Sequence, residues 1–367
     1  MSSSPLQALS DAGVSIWLDD LSRDRLQSGS LAKLIEDSHV VGVTTNPSIF
    51  SAAIGGSDLY RDDILALKAE GLTTTAIVAE LTTSDVRNAC DLFLPTFLES
   101  NQVDGRVSIE VDPDLAYDTS ATVERALFLH HVVNRPNVLI KVPATMDGLP
   151  AIEELTARGI SVNVTLIFSV NRYRAVMDSY LRGLERRLAS GQEITSVHSV
   201  ASFFISRIDA DIDKKLDAIS ESHPLRGKAA IANAGLAFEA YLEVIRSPRW
   251  TALKSAGGNM QRPLWASTGV KDKSYSPTRY VIDLVAPGTV NTMPEGTLDA
   301  VRSTAEQVPS DAVTGAISQA HEIFTALTVA GIDMRKVVAE LEDDGLKKFE
   351  DAWVHLLQNV ASVAERA

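Results

Sequence analysis

The sequence predicts an α/β fold of the (β/α)8 TIM-barrel class, with extra helices and a C-terminal helical extension. Three observations predict it. Eight short apolar runs punctuate the chain, and several are near-continuous in Val, Ile and Leu, as strands buried on both faces must be. Stretches of helical period lie between them, and parallel strands need such crossovers. The 367 residues suit a barrel of this type, which commonly forms one large domain. The expected organisation is a single domain over 1–367, with the barrel at about 14–290 and helices at about 296–367 packed on it.

The expected strands are 14–20, 40–46, 107–111, 138–142, 161–167, 196–204, 264–268 and 280–284. After strand three, Asp118 or Thr119 can cap a helix carrying Val123, Leu127, His130 and Val133. After strand five, Tyr173, Met177, Tyr180, Leu184 and Leu188 form an apolar stripe. A less clean stripe, Ile77, Leu81, Asp85, Cys90 and Phe93, lies between strands two and three. That gap and the one between strands six and seven each have room for two helices. Ser255-Ala256-Gly257-Gly258-Asn259 is the best loop signal, just before strand seven. Beyond strand eight, Leu346, Phe349, Trp353, Leu356, Val360 and Val363 mark a terminal amphipathic helix that should dock on the barrel. No repeat or low-complexity tract interrupts this order.

Composition narrows the partners. Lys and Arg number 34 against 48 Asp and Glu, a net charge of −14. Nucleic acid is therefore not expected as a partner, since phosphate backbones need a basic surface. A small phosphate ester needs only one or two local cations. The single cysteine, Cys90, allows no intrachain disulfide. Residues 1–10 lack a signal-peptide pattern, and no apolar run approaches the roughly 18 residues of a membrane span. The expectation is a cytosolic protein without membrane partners. A homo-oligomer stays open, because the terminal helix can cover its own barrel or a second copy.

Lys141 carries the chemistry. It lies inside Val138-Leu139-Ile140-Lys141-Val142-Pro143, an apolar run bounded by prolines. Lysine is rarely buried without a partner or a task. Burial disfavours the ammonium form, and a neutral amine attacks carbonyls to give a Schiff base. The bland alternative is a lysine that snorkels out or pairs with a carboxylate. Its neighbours weigh against that. In such barrels the working residues sit at strand C-termini. Those ends supply Asp19 and Asp20, then Asn46, Glu110, Lys141, Asn163 and Thr165, Ser202 with Arg207, and Lys271. A lysine nucleophile, carboxylates, amides and cations together suit a sugar-phosphate carbonyl reaction.

Three segments also resemble one family. Gly42-Val43-Thr44-Thr45-Asn46-Pro47-Ser48 is similar to the first signature of the transaldolases. The run from Val138 through Lys141 to Thr145 resembles their Schiff-base segment, and Ile160 to Ser169 the strand that follows it. The resemblance runs in order from about Val14 to about Val290. It implies transfer of a dihydroxyacetone unit between sugar phosphates, from fructose 6-phosphate or sedoheptulose 7-phosphate to erythrose 4-phosphate or glyceraldehyde 3-phosphate, in the pentose phosphate pathway. It implies no metal and no organic cofactor. By the same resemblance Lys141 forms the imine and Asp19 takes the C4 hydroxyl proton. Glu110 and Thr165 hold a proton-shuttling water. Asn46, Asn163 and Ser202 bind hydroxyls, and Arg207 clamps phosphate.

Two positions qualify the match. Many transaldolases have a second phosphate-binding arginine after strand seven. This chain has Ala266-Ser267-Thr268-Gly269-Val270-Lys271-Asp272, so Lys271 is the candidate and Arg279 its competitor. Lysine offers a point charge without the bidentate fork. The related fructose 6-phosphate aldolases carry tyrosine at the place of Phe204 and glutamine at that of Glu110, so both residues favour transfer over simple cleavage.

Bland readings stand beside several of these. Asp19 can cap the next helix while Asp20 does the chemistry. Asn46, held extended by Pro47, can be a structural turn. Glu110 can pair with a cation. Arg207 begins a charge-rich helix whose face is solvated. Asn163-Val164-Thr165 matches a glycosylation acceptor by accident, inside an apolar strand. His130 and His131 read as structural, without a metal-ligand partner.

Overall fold

The computed structural model describes residues 4–220 and 222–365; Arg366 and Ala367, the last residues of the expected extension, lie outside them, as do residues 1–3 of the segment searched for a signal. Eight parallel strands close into a barrel in chain order. They are β1 (Ser15–Leu18), β2 (Val40–Val43), β3 (Arg106–Glu110), β4 (Val138–Pro143), β5 (Val162–Ile167), β6 (Ser199–Phe204), β7 (Arg262–Ala266) and β8 (Val290–Met293). β1 pairs with β8 from Ser15 opposite Val290 to Leu18 opposite Met293, which completes the ring. Trp17 is fully buried inside the ring, whereas Trp265 faces outward from β7, edge-on to Phe203 and donating Nε1–H to the Leu284 carbonyl at 3.0 Å. Gly42 in β2 makes room for Trp17: a Cβ there would lie 2.5 Å from the indole.

Seven expected strands coincide with observed ones. The eighth does not. Residues 280–282 belong instead to a short helix, Arg279–Ile282, with 283–284 in the turn after it, and the true β8 follows at Val290–Met293. Tyr280, Val281 and Ile282 are buried, but so short an apolar run has the same composition in a buried helical turn as in a strand. The true strand hides for the opposite reason. Its Thr292 lines the cavity and its Asn291, on the opposite face, donates through Nδ2 to the Tyr280 carbonyl at 3.0 Å, so it shows no apolar run.

The helical expectations hold with a rotation in one case. Asp118 caps Thr119–Val133, its carboxylate accepting from Ala121 N–H at 2.9 Å. Val123 and Val133 are buried there, but Leu129 rather than His130 completes the face. Ile77, Leu81, Asp85, Cys90 and Phe93 are all buried in Thr74–Glu99. The two long gaps hold three α-helices each rather than two: Pro47–Gly55, Arg61–Ala69 and Thr74–Glu99 in the first, Ser206–Asp217, Ala229–Ile245 and Pro248–Ser255 in the second. The terminal helix is Met334–Ala364. Leu346, Phe349, Leu356 and Val360 are buried along one face, each such side chain contributing about 1.5–3 kcal/mol if fully removed from water.

Two strand ends carry backbone strain. Leu166 near the end of β5 has φ 59° and Ser267 just after β7 has φ 56°. The left-handed region costs a non-glycine residue of order 1 kcal/mol or more. The β5–β6 register shifts between Val164 and Ile167, so the strain at Leu166 coincides with a bulge beside Thr165. Bulges of this kind re-aim side chains at barrel rims.

Candidate active site

At the C-terminal mouth of the barrel lies a cavity of about 580 Å³. Eight of the ten residues singled out from the sequence line it: Asp19, Asn46, Lys141, Thr165, Ser202, Phe204, Arg207 and Lys271. The other two, Glu110 and Asn163, lie just behind its wall.

Strand register sets the reacting end. Glu110 on β3 stands opposite Lys141 on β4, and Lys141 opposite Asn163 on β5. Lys141 is only 4% exposed. Its Nζ donates to the Thr45 carbonyl at 3.0 Å and to Glu110 Oε2 at 3.1 Å. The Glu110 side chain is 3% exposed. Burial pushes its carboxyl up to about 7, and the charge and hydrogen bond of Lys141 only partly oppose this. Its other oxygen, Oε1, has no partner among the described residues, and neither has Thr165 Oγ1. A pocket of about 30 Å³, enough for one water, borders Glu110.

Asp19 extends from the end of β1. It caps nothing: Ser22 caps the next helix, Arg23–Gln27. Asp19 Oδ1 accepts from Thr44 Oγ1 at 2.6 Å. Thr44 has one hydroxyl proton, so its contact with Thr292 Oγ1 at 2.7 Å makes Thr292 the donor there. Burial raises the Asp19 carboxyl above its ordinary range, while Lys141, the Thr44 hydrogen bond and Arg207 pull the other way. Asp20 is held differently, its Oδ2 accepting from Arg25 Nε at 2.7 Å. Asn46 does cap a helix, Pro47–Gly55, its Oδ1 accepting from Ile49 N–H at 3.0 Å. That leaves its amide donors for the cavity it lines. Asn163 sits one layer down. Its Nδ2 donates to Ser108 Oγ at 3.0 Å, and its Oδ1 accepts from Ser202 Oγ at 2.7 Å.

The opposite end is cationic. Arg207 opens the helix Ser206–Asp217 and lies over the Phe204 ring, 5.2 Å from its centroid. Its Nη1 is buried and unpartnered among the described residues. Burial lowers its pKa from the usual guanidinium value, with Asp344 and Asp19 opposing. Lys271 is exposed at the cavity rim. Arg279, its competitor, does not line the cavity. It bonds the Gly227 carbonyl and stacks on Tyr275, 4.5 Å from the ring centroid.

Thr44, Thr292 and Phe349 also line the cavity and were not singled out. Thr44 lay within a quoted motif. Phe349 read as one member of an apolar stripe, and Thr292 fell outside the expected strands. Among the described residues no group of three or more His, Cys, Asp or Glu could hold a metal ion, and no helix is long and apolar enough to cross a membrane.

Comparison with known proteins agrees in direction. A family model described as transaldolase/fructose-6-phosphate aldolase matches residues 16–360. Transaldolase 1 of Streptomyces avermitilis is 56% identical over 359 residues, 97% of this chain and 95% of that protein. The transaldolase of Saccharopolyspora erythraea is 55% identical over 364 residues, 99% of each. That of Mycolicibacterium smegmatis is 55% identical over 354 residues, 96% of this chain and 95% of its own.

Proposed function

The chain belongs to the transaldolase/fructose-6-phosphate aldolase family and is an enzyme of the transferase class, and from that premise we propose that it moves a dihydroxyacetone unit between sugar phosphates through a Schiff base on Lys141. The donors in this reading are fructose 6-phosphate and sedoheptulose 7-phosphate, and the acceptors are erythrose 4-phosphate and glyceraldehyde 3-phosphate. It places the enzyme in the pentose phosphate pathway and in the cytosol.

One observation carries the reading: a buried lysine on a barrel strand, at the wall of a polar cavity, 3.1 Å from a buried carboxyl. The Lys141 amine attacks the ketose C2 carbonyl. A C–N bond forms, the carbonyl π pair moves to oxygen, and that oxygen takes a proton. The carbinolamine then expels water as the nitrogen lone pair forms the C=N bond. Both steps move protons, and a carboxyl pushed to about 7 exchanges them well near neutrality. The unpartnered Glu110 Oε1 and Thr165 Oγ1 support a water shared between these two residues.

The iminium then acts as the electron sink. Asp19 takes the C4 hydroxyl proton while the C3–C4 bond breaks, and the bonding pair flows into the iminium to leave an enamine. The aldose phosphate departs, and the steps reverse on the acceptor. Thr44, supported by Thr292, orients Asp19 from behind. Asn46 offers amide donors to the hydroxyls of the three-carbon unit, and Ser202, whose one proton goes to Asn163 Oδ1, accepts from one of them. Arg207 and Lys271 receive the phosphate.

The test is borohydride reduction with fructose 6-phosphate, followed by peptide mass mapping. A reduced three-carbon adduct on Lys141 is expected. No adduct, in folded protein that binds the sugar phosphate, would overturn the imine route. Rapid release of free dihydroxyacetone without an aldose acceptor would turn the assignment from transfer to aldol cleavage, against the indications of Phe204 and Glu110.

A further inference from the structure

The terminal helix Met334–Ala364 is part of the reaction chamber. Its successive turns pass over the groups that matter. Gly345 faces Arg207 and Leu166: a Cβ there would lie 3.3 Å from Arg207 Nη1 and 3.1 Å from Leu166 Cδ2. Phe349, one turn on, lines the main cavity and is 4% exposed. Its ring lies under Lys141 Nζ, 5.5 Å from nitrogen to centroid. Trp353 and Leu356, one and two turns farther, line the small pocket beside Glu110. Farther along, Asn359 Nδ2 donates to the Ser51 carbonyl at 3.3 Å and ties the helix to Pro47–Gly55.

Apolar stripes usually bury against apolar surface. Phe349 instead turns its ring face to the Lys141 nitrogen. A ring face attracts a cation within about 6 Å, and more strongly where water is excluded.

The chemistry of the nitrogen makes this contact selective. As an ammonium, Lys141 has three N–H donors and uses them on the Thr45 carbonyl and Glu110. A protonated imine keeps its positive charge but only one N–H. It cannot satisfy both partners. A ring face needs no N–H, so its attraction survives imine formation when one hydrogen bond is lost. We propose that Phe349 is a catalytic residue, whose ring stabilises the iminium on Lys141 and so gives the C-terminal helix a direct part in the reaction. This rests on the Schiff-base reading above.

The experiment compares wild type, Phe349→Leu and Phe349→Tyr. Leucine keeps the apolar bulk and removes the ring; tyrosine restores a ring face. Each protein is reduced with borohydride at saturating fructose 6-phosphate, and kcat and KM are measured with erythrose 4-phosphate as acceptor. Expected for Phe349→Leu is a kcat about tenfold lower or more, a matching drop in the trapped fraction, and little change in KM. Phe349→Tyr should recover most of both. Equal kcat and trapping in the leucine variant and wild type would overturn the proposal. So would equal losses in the leucine and tyrosine variants with native circular dichroism, because the ring would then not matter. If wild type itself traps no adduct on Lys141, the Schiff-base reading fails first, and that outcome is distinct from either.

Discussion

The two ends of the cavity are held in opposite ways. Around Lys141 the protein has already made the bonds: the lysine is tied to Thr45 and Glu110, and Asp19 is fixed by a Thr292–Thr44 hydroxyl chain. Around Arg207 it has withheld them. That guanidinium makes no hydrogen bond to a described residue, one of its nitrogens is buried without a partner, and Lys271 stands exposed at the rim. Leaving a buried donor unpaired is costly, so an uncommitted arginine over a cavity is a site waiting for an anion. The contrast teaches a division of labour. In the proposed reading, the β3–β4 end is set for bond making before substrate arrives, whereas the β6–β7 end is completed by the substrate's phosphate.

The harshest way to break this division is Lys141→Ala. Turnover should fall by at least about 10⁴-fold, as when other covalent nucleophiles are removed, with the unfolding midpoint and circular dichroism close to wild type. A coupled assay of glyceraldehyde 3-phosphate production checks it; substantial residual activity would sink the nucleophile assignment.

Arg207→Ala attacks the other end. The KM for fructose 6-phosphate should rise by roughly 10²-fold, the scale of a lost charge-assisted phosphate contact. Borohydride trapping with dihydroxyacetone itself, which has no phosphate, should be unchanged. Equal damage to both substrates would show that Arg207 also shapes the reacting end, and the division would fail.

The same contrast governs what could be read from the sequence. Residues on apolar strands were legible, because a lysine or glutamate inside a run such as Val138 to Val142 violates local composition and the violation marks function. Lys141, Glu110 and Thr165 stand out that way. Strand eight was not legible. Its cavity-facing Thr292 and its buried, helix-facing Asn291 replace the apolar residues by which strands are recognised, while Tyr280–Ile282 offered a more apolar decoy in a helix. Phe349 was legible only as core. Nothing local distinguishes a phenylalanine that packs on leucine from one that faces Lys141; that depends on where a helix some 200 residues later in the chain comes to rest, and long-range packing leaves no trace in periodicity.

Glu110→Gln sharpens the comparison through pH. Burial moves the Glu110 carboxyl from its ordinary 4.5 to about 7. Between those values the folded protein holds a proton that the unfolded chain gives up. Stability from this group is therefore lost as pH rises through that window, at up to about 1.4 kcal/mol per unit, and is level above it. The glutamine variant has no such proton. Wild-type stability measured relative to the variant by urea unfolding should thus decline from pH 5 to 7 and then stay flat. A constant difference from pH 5 to 8 would mean that Glu110 is ionised throughout, and would remove it as a proton donor near neutrality.

The mildest test falls where the two ends are bridged, at Gly345. Glycine inside a helix is less stable than alanine by about 1 kcal/mol, so on propensity alone Gly345→Ala should stabilise the terminal helix. The space argues otherwise. The new methyl would sit 3.1 Å from Leu166 Cδ2 and 3.3 Å from Arg207 Nη1, and Leu166 is already held at a positive φ. The helix or the guanidinium must give by a few tenths of an ångström. Because the propensity gain and the crowding oppose each other, the unfolding free energy should stay within about 1 kcal/mol of wild type. The displacement should appear in catalysis instead, as a KM for fructose 6-phosphate raised about threefold, since a weakened phosphate contact need cost only a fraction of its full value. Steady-state kinetics beside urea unfolding separates the two. An unchanged KM would mean that the helix yields without disturbing Arg207, and that the small residue at 345 serves packing rather than the phosphate end.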